Sequence, residues 1–198
     1  MQYMDKAGRV VLLNIMFLFS CLPIVTFGMA VEGMYFAIFQ WVIRKDDRVF
    51  HNYVEGIRRR WKVSLAGWLL CLAAAAFFLI EFQAIGEMLF PWNYVCGCVA
   101  ALTAFCIAVT ALYYFAVAAF TDVTIRNLVV ISFAGGMKCL LYTLLLLVLW
   151  IAEIFLCSIS VWLVPLWVTC GFALFAWARS FIFLRVFQKI ELYRKEEE

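Results

Sequence analysis

Three uncharged stretches dominate this chain: Val63 to Ile80, Met88 to Thr121 and Ile154 to Ala178 contain no Asp, Glu, Lys or Arg. A hydrocarbon core about 30 Å thick asks about 20 apolar residues of an α-helix that rises about 1.5 Å per residue. The runs meet that demand, and none alternates polar with apolar residues as a porin-like barrel strand would. With 68% of its 198 residues hydrophobic and 15% charged, the chain has too little polar surface to cover a soluble globule. It reads as an all-α, polytopic integral membrane helical bundle, a single membrane domain over residues 1–198.

The first apolar region is less simple. Apolar residues run from Val10 to Leu22, pause over Pro23 to Gly28 and resume from Met29 to Ile43. Lys and Arg near span ends stay on the cytoplasmic side, so the basic residues decide how often the chain crosses. If residues 10–43 are a short hairpin broken at Pro23 to Gly28, there are six membrane segments. Both termini and the segments 44–62 and 121–138 then share one side with all sixteen Lys and Arg. A single pass would send Lys6 and Arg9 to the other face. Arms of 13 to 15 residues reach only about 20 to 23 Å, so a re-entrant hairpin is an equivalent solution. Cleavage as a signal peptide is the rival reading, since Lys6, Arg9, the apolar core and Gly28 with Ala30 imitate its three regions. Removal would leave Met34 to Ile43 as an unsupported apolar stub.

Between Asp47 and Lys62 the residues Phe50, Val54, Ile57 and Trp61 recur at helical spacing along one face. The pattern predicts a cytoplasmic amphipathic helix over 47–62 with Asp47 as N-cap, lying on the inner leaflet or docking a partner. Arg58, Arg59, Arg60, Trp61 and Lys62 at its end are the candidate contacts for anionic headgroups or that partner. A second such helix is expected over 122–134, opened by Thr121-Asp122 and stopped by Gly135-Gly136. "YFAIF" at Tyr35 and "YFAVA" at Tyr114 precede the two segments, which suggests a same-orientation two-fold repeat, about 10–83 and 94–184.

Candidate chemistry is sparse. The eight cysteines sit nearly all inside apolar runs as small hydrophobes, and Cys96 and Cys98 point to different helix faces. With His51 the sole histidine, no metal site and no cofactor are expected. No H-E-x-x-H, paired intramembrane aspartates or phosphate-binding Gly-x4-Gly-Lys-Ser/Thr loop occurs, so the chain does not read as an enzyme. The basic residues are explained by topology and imply no nucleic-acid partner. Of the carboxylates in or near spans, Glu81 and Glu153 are expected at solvated outer ends. Glu32 lies about one turn into a helix freed by the Pro23 to Gly28 break, beside Thr26 and within facing distance of Asn14. Broken helices are where transporters coordinate substrate, so Asn14, Thr26 and Glu32 are the candidate substrate-binding residues; a structural carboxylate holding the hairpin is the competing role.

The stretch from Asn14 through "LPIVTFG" to Gly28, followed by Gly33-Met-Tyr35, resembles the N-terminal signature of the YesL-like bacterial membrane family. "VFHNYVEGIRRRWKVS" and "YYFAVAAFTDVTIRNLVVISF" are similar to its two later cytoplasmic segments; Arg60 stands where that pattern would place Asn. The resemblance implies a multi-pass protein of the bacterial plasma membrane with both termini cytoplasmic. That family has no known molecular function, and its members are often encoded beside carbohydrate-uptake and polysaccharide-degradation systems. The implied role is an accessory component of sugar or oligosaccharide uptake whose partners are the lipid bilayer and ABC-type importer permease subunits. A homo-oligomer is compatible with the same surfaces. A small transporter with its site at the first hairpin is the alternative.

Overall fold

The computed structural model describes residues 2–86, 91–159 and 171–190. Among these there are helices and no strands, in the order α1 (Gln2–Cys21), a 3-10 turn (Ile24–Thr26), α2 (Phe27–Arg44), α3 (Val49–Arg59), α4 (Trp61–Gly86), α5 (Trp92–Phe120), α6 (Ile125–Lys138), α7 (Leu140–Ile159) and α8 (Phe172–Lys189). The all-helical class expected from the sequence is observed, but the count of spans is not clearly six. Three helical stretches are long and apolar enough to cross a membrane: 24–44, 61–86 and 92–120. The pair α6 and α7 makes a fourth if taken as one span, though it bends by 98°. The apolar part of α1, Ala7–Cys21, is shorter. The expected connection over 158–164 and Pro165 lie largely outside the described residues.

Pro23 ends α1, as expected. Its backbone is extended (φ −80°, ψ 120°), and it lacks the N–H that would continue the helix. The chain folds back there: Phe17 and Phe27 approach to 6.1 Å, and Arg9 lies 6.0 Å from the Trp41 ring at the other end of the hairpin. At its far end α2 stops on Lys45 in the left-handed region (φ 54°), whose N–H donates to Gln40 O. A non-glycine residue closes this C-cap.

The α3 expectation is corrected in two respects. Asp47 does not cap α3; it pairs with Arg9, and Arg48 occupies the N-cap position with no side-chain cap bond. Asp46 instead accepts from Arg48 N and its guanidinium at 3.0 to 3.1 Å, which holds the Asp46 carboxyl well below the usual carboxylate range. The face of α3 that packs inward is Val49, Asn52, Tyr53 and Gly56, whereas Phe50 (62% exposed) and Trp61 (48% exposed) turn outward. The apolar stripe read from periodicity is therefore split: Phe50 and Trp61 are exposed, Val54 is half-buried, and Ile57 packs at Gly33 of α2. Inward packing depends on small residues, because backbones must meet closely: a Cβ on Gly56 would lie 2.8 Å from Phe36 Cβ, and one on Gly33 2.8 Å from Ile57 Cγ1.

The same register continues into α4. Ser64 and Trp68 abut Gly28, and the Trp68 indole N–H donates to Ile24 O at 2.8 Å. Helices α3 and α4 thus run antiparallel along α2 until Trp68 reaches the hairpin tip. From Trp68, α4 continues to Gly86, about 27 Å at the α-helical rise, exposed or half-buried along that length. Ser64 and Gly67 are the buried residues of α4, and the buried residues of α5 are Val109 and 113–119. Within an apolar 18-residue stretch of each, the buried share is 11% for α4 and 6% for α5, against 56% within 24–44. The apolarity of α2 serves protein packing, while that of the projecting α4–α5 hairpin faces outward.

A core of aromatic rings forms where α2, α5 and α8 meet. Phe183 lies 5.4 Å from Tyr35 and 5.3 Å from Tyr113, and Phe187 lies 5.0 Å from Phe120. Such pairs contribute about 0.5 to 1.5 kcal/mol each beyond area burial. Helix α6 folds back on α5 as α3 does on α2. Gly135-Gly136 does not stop it, because the glycines serve proximity: a Cβ on Gly136 would lie 2.3 Å from Val109 Cγ1. The two halves share an order of long helix, folded-back helix and long helix, yet α3 and α4 both follow α2 whereas α6 and α7 diverge sharply.

Glu153, expected at a solvated outer end, is instead buried and ion-paired with Arg179 at 3.1 Å, joining α7 to α8. Arg179 also donates from Nε to Phe175 O and lies 5.9 Å from the Trp150 ring.

The close approach of α4 and α5 is set at Gly67, where a Cβ would lie 2.2 Å from Tyr114 Cε1. Gly67→Ala is expected to cost about 1 to 3 kcal/mol through overpacking and to lower the melting temperature in detergent. Gly97→Ala, where a Cβ meets nothing within 4 Å, is expected to be neutral or to stabilise by about 1 kcal/mol. Equal melting temperatures for the two variants would contradict this packing.

Candidate functional site

The three sequence candidates lie in or beside the first hairpin, but each faces a different neighbour. Asn14 is fully buried in α1 and turns toward α8, where its Oδ1 accepts from Ala173 N at 2.9 Å. The first N–H groups of a helix lack intrahelical acceptors, so Asn14 supplies a cap from a residue 159 positions away. Thr26 closes the tip: its Oγ1 lies 2.5 Å from Ser20 O and 2.8 Å from Pro23 O, and its single proton is shared between these carbonyls. Both residues therefore have structural partners.

Glu32 is different. It is 1% exposed, and neither carboxylate oxygen has a hydrogen-bond partner among the described residues. A carboxylate buried without hydrogen bonds is costly. The charges acting on it are Arg60 and Arg59, opposed by Asp122. Both arginines are engaged elsewhere. Arg59 Nη2 donates to Ala118 O at 3.2 Å and Ala119 O at 3.4 Å, pairs with Asp122 at 3.4 Å, and stacks 4.8 Å from the Phe36 ring. Arg60 donates from Nη1 to Thr121 O and from Nη2 to Val123 O. The last carbonyls of α5 have no N–H to accept from within the helix and carry its negative dipole end. Two guanidiniums from the α3–α4 junction cap them, so the break at Arg60 lets consecutive residues reach one target.

The basic cluster at 58–62 thus divides. Arg59 and Arg60 look inward; Arg58, Trp61 and Lys62 remain exposed, with the Lys62 ammonium 5.5 Å from the Trp61 ring. Tyr53, on the inward face of α3, lies with its hydroxyl 3.5 Å from Met16 O, and burial pushes its phenol above the ordinary range. Two clefts open between α1 and α3, lined by Met16, Phe19, Ser20 and Ile57 among others, and neither includes Glu32. Among the described residues no group of three or more His, Cys, Asp or Glu could hold a metal ion.

Sequence reasoning missed two functions. The carbonyl caps of Arg59 and Arg60 had a signal in three consecutive arginines, since a helix cannot point all three to one face. The Glu153–Arg179 pair had a clearer one: these are the ionisable Asp, Glu, Lys or Arg residues between Cys139 and Leu184, and charges within apolar helices pair with one another.

Residues 10–82, from within α1 to near the end of α4, match the model of a family described as protein of unknown function, DUF624. No curated protein and no solved structure matches the chain.

Proposed function

We propose that this chain is an accessory component of a bacterial plasma-membrane system for carbohydrate uptake. In this reading the α4–α5 hairpin crosses the bilayer, and the packed body, with both termini, faces the cytoplasm. The outward face of α3 then docks a partner such as a permease subunit of an ABC-type sugar importer. The observation that carries the docking role is the exposure of Phe50 on α3 and Trp61 at the start of α4, beside His51 and Arg58, while α3 is held on α2 through Val49, Asn52, Tyr53, Gly56 and Ile57. The carbohydrate context rests on the resemblance to YesL-like proteins.

The membrane placement is supported by charge. Residues 63–121 contain no Lys or Arg, and the next cation after Lys62 is Arg126. Trp92 and Tyr94, 68% and 66% exposed, stand where an aromatic belt at the far interface belongs. The first hairpin does not cross in this reading. Its tip, level with Trp68, reaches about 9 Å past Lys62, so Leu22, Ile24 and Val25 sit shallowly in the cytoplasmic leaflet.

A second reading, a small transporter, is favoured by Glu32 alone, the one candidate of the three whose side chain has no hydrogen-bond partner among the described residues. Sugar flux into proteoliposomes that is lost in Glu32→Gln would establish it; flux absent from the wild-type protein would remove it. For the accessory role, a photo-crosslinking residue at Phe50 is expected to yield an adduct with a permease subunit in living cells. Adducts with lipid alone would end the docking reading. For the placement, cysteines introduced singly at Leu22 and Trp92, with native cysteines replaced, are expected to differ. Impermeant maleimide added to intact cells should label Trp92→Cys and leave Leu22→Cys unmodified; labelling of both would mean that the first hairpin crosses.

A further inference from the structure

The groove between the first hairpin and α3 has the shape and polarity of a lipid site. We infer that it binds one acyl chain of an anionic phospholipid of the cytoplasmic leaflet, with the headgroup phosphate on Arg58. The inference rests on the membrane placement proposed above.

Two compartments of about 290 and about 220 Å³ share Phe19, Ser20 and Ile57 and so form one continuous groove. Its walls are mostly apolar, with Ile15 and Met16 toward one end and Pro23 and Met29 toward the other. Arg58 is the sole charged residue lining either compartment. It is exposed, and among the described residues no carboxylate pairs with it. Its neighbours Arg59 and Arg60 are committed to the carbonyls of α5, which leaves Arg58 as the free cation of the run.

Direction is decided by the register of α3 on α2. Ile57 packs at Gly33, so Arg58 lies on the Lys62 side of the hairpin tip, and the second compartment runs on to Pro23 and Thr26 at the tip itself. Arg58 therefore stands at mid-groove, beside the shared Phe19 and Ile57: on the side away from the tip the first compartment continues past Tyr53 and Val54, and on the other an apolar floor leads from the cation to the tip and into the bilayer, as a headgroup and acyl chain in that leaflet require. A peptide segment fits less well, because its backbone N–H and C=O groups need partners. Two of the three lining hydroxyls are spent: Thr26 on Ser20 O and Pro23 O, Tyr53 on Met16 O.

The test is native mass spectrometry of the full chain in detergent micelles titrated with phosphatidylglycerol or phosphatidylcholine. The wild-type protein is expected to retain phosphatidylglycerol in preference. Arg58→Gln should weaken that binding about fivefold, as one headgroup-facing cation implies, and remove the preference. Ser20→Trp, which fills the shared floor, should reduce both lipids to background; Ile57→Phe serves if that variant fails to remain monodisperse. Equal affinity for the two lipids, a preference that survives Arg58→Gln, or bound lipid indifferent to groove filling would each overturn the assignment. So would a groove-filling variant that alters self-association while leaving lipid binding unchanged. Binding in micelles does not depend on how the chain crosses a bilayer, so failure here is distinguishable from failure of the placement, which the Leu22→Cys labelling reads separately.

Discussion

The register of α2 against α3 and α4 is the constraint on which the rest depends. It is written in close backbone contacts: Gly33 against Tyr53 and Ile57, Gly56 against Phe36, Gly28 against Trp68, and the Trp68 indole on Ile24 O. A helix pair that meets through glycines gains dispersion contacts along its whole length and tolerates no sliding, since a one-residue shift would bring side chains into space where no Cβ fits. This alignment ends the first hairpin level with Trp68 and leaves the rest of α4 projecting beyond it. Exposure of the α4–α5 hairpin, the outward face of α3 and the groove along α1 are all consequences.

The arginine pair at the α3–α4 junction locks that arrangement to α5. Four carbonyls at and beyond the end of α5 are bonded by Arg59 and Arg60, with Asp122 as counter-ion to Arg59. A guanidinium suits this role because its fork of N–H groups stays charged and reaches two carbonyls at once. Beneath this polar seam lies Glu32, buried and without a hydrogen bond among the described residues. The seam therefore brings two engaged guanidiniums and the Asp122 carboxylate near a buried carboxyl group that has no hydrogen bond among the described residues.

Most other polar groups within the helices are satisfied locally. Thr143 Oγ1 joins Tyr113 Oη at 3.1 Å and Gly136 O at 2.8 Å, linking α7 to the α5–α6 pair, while Ser180 bonds back to Ala176 O. Asn14 caps α8, and Glu153 neutralises Arg179. Such groups knit helices together where apolar contacts alone would leave rotation and register free. Against that background Glu32 is, among the described residues, the buried side chain with both carboxylate oxygens unpartnered, while single atoms of Asn52, Glu81, Asn93 and Ser132 also lack a hydrogen bond.

The sequence by itself determined the helical class, the apolar character of the spans and the break at Pro23, because run length, charge and the missing proline N–H act locally. It also marked α3 as an amphipathic segment and brought Asn14, Thr26 and Glu32 to attention. It could not say which of those three lacks a partner, since that depends on residues as distant as Ala173. Nor could it say which face of α3 packs inward. Periodicity ranks faces by side-chain apolarity, whereas close packing selected the face carrying Gly56 and opposing Gly33. Likewise α2 and α4 read alike as spans, but only the tertiary structure decided that α2 buries its apolar surface in protein while α4 leaves its own exposed. Hydropathy measures the preference to leave water and is silent on whether protein or lipid receives the side chain.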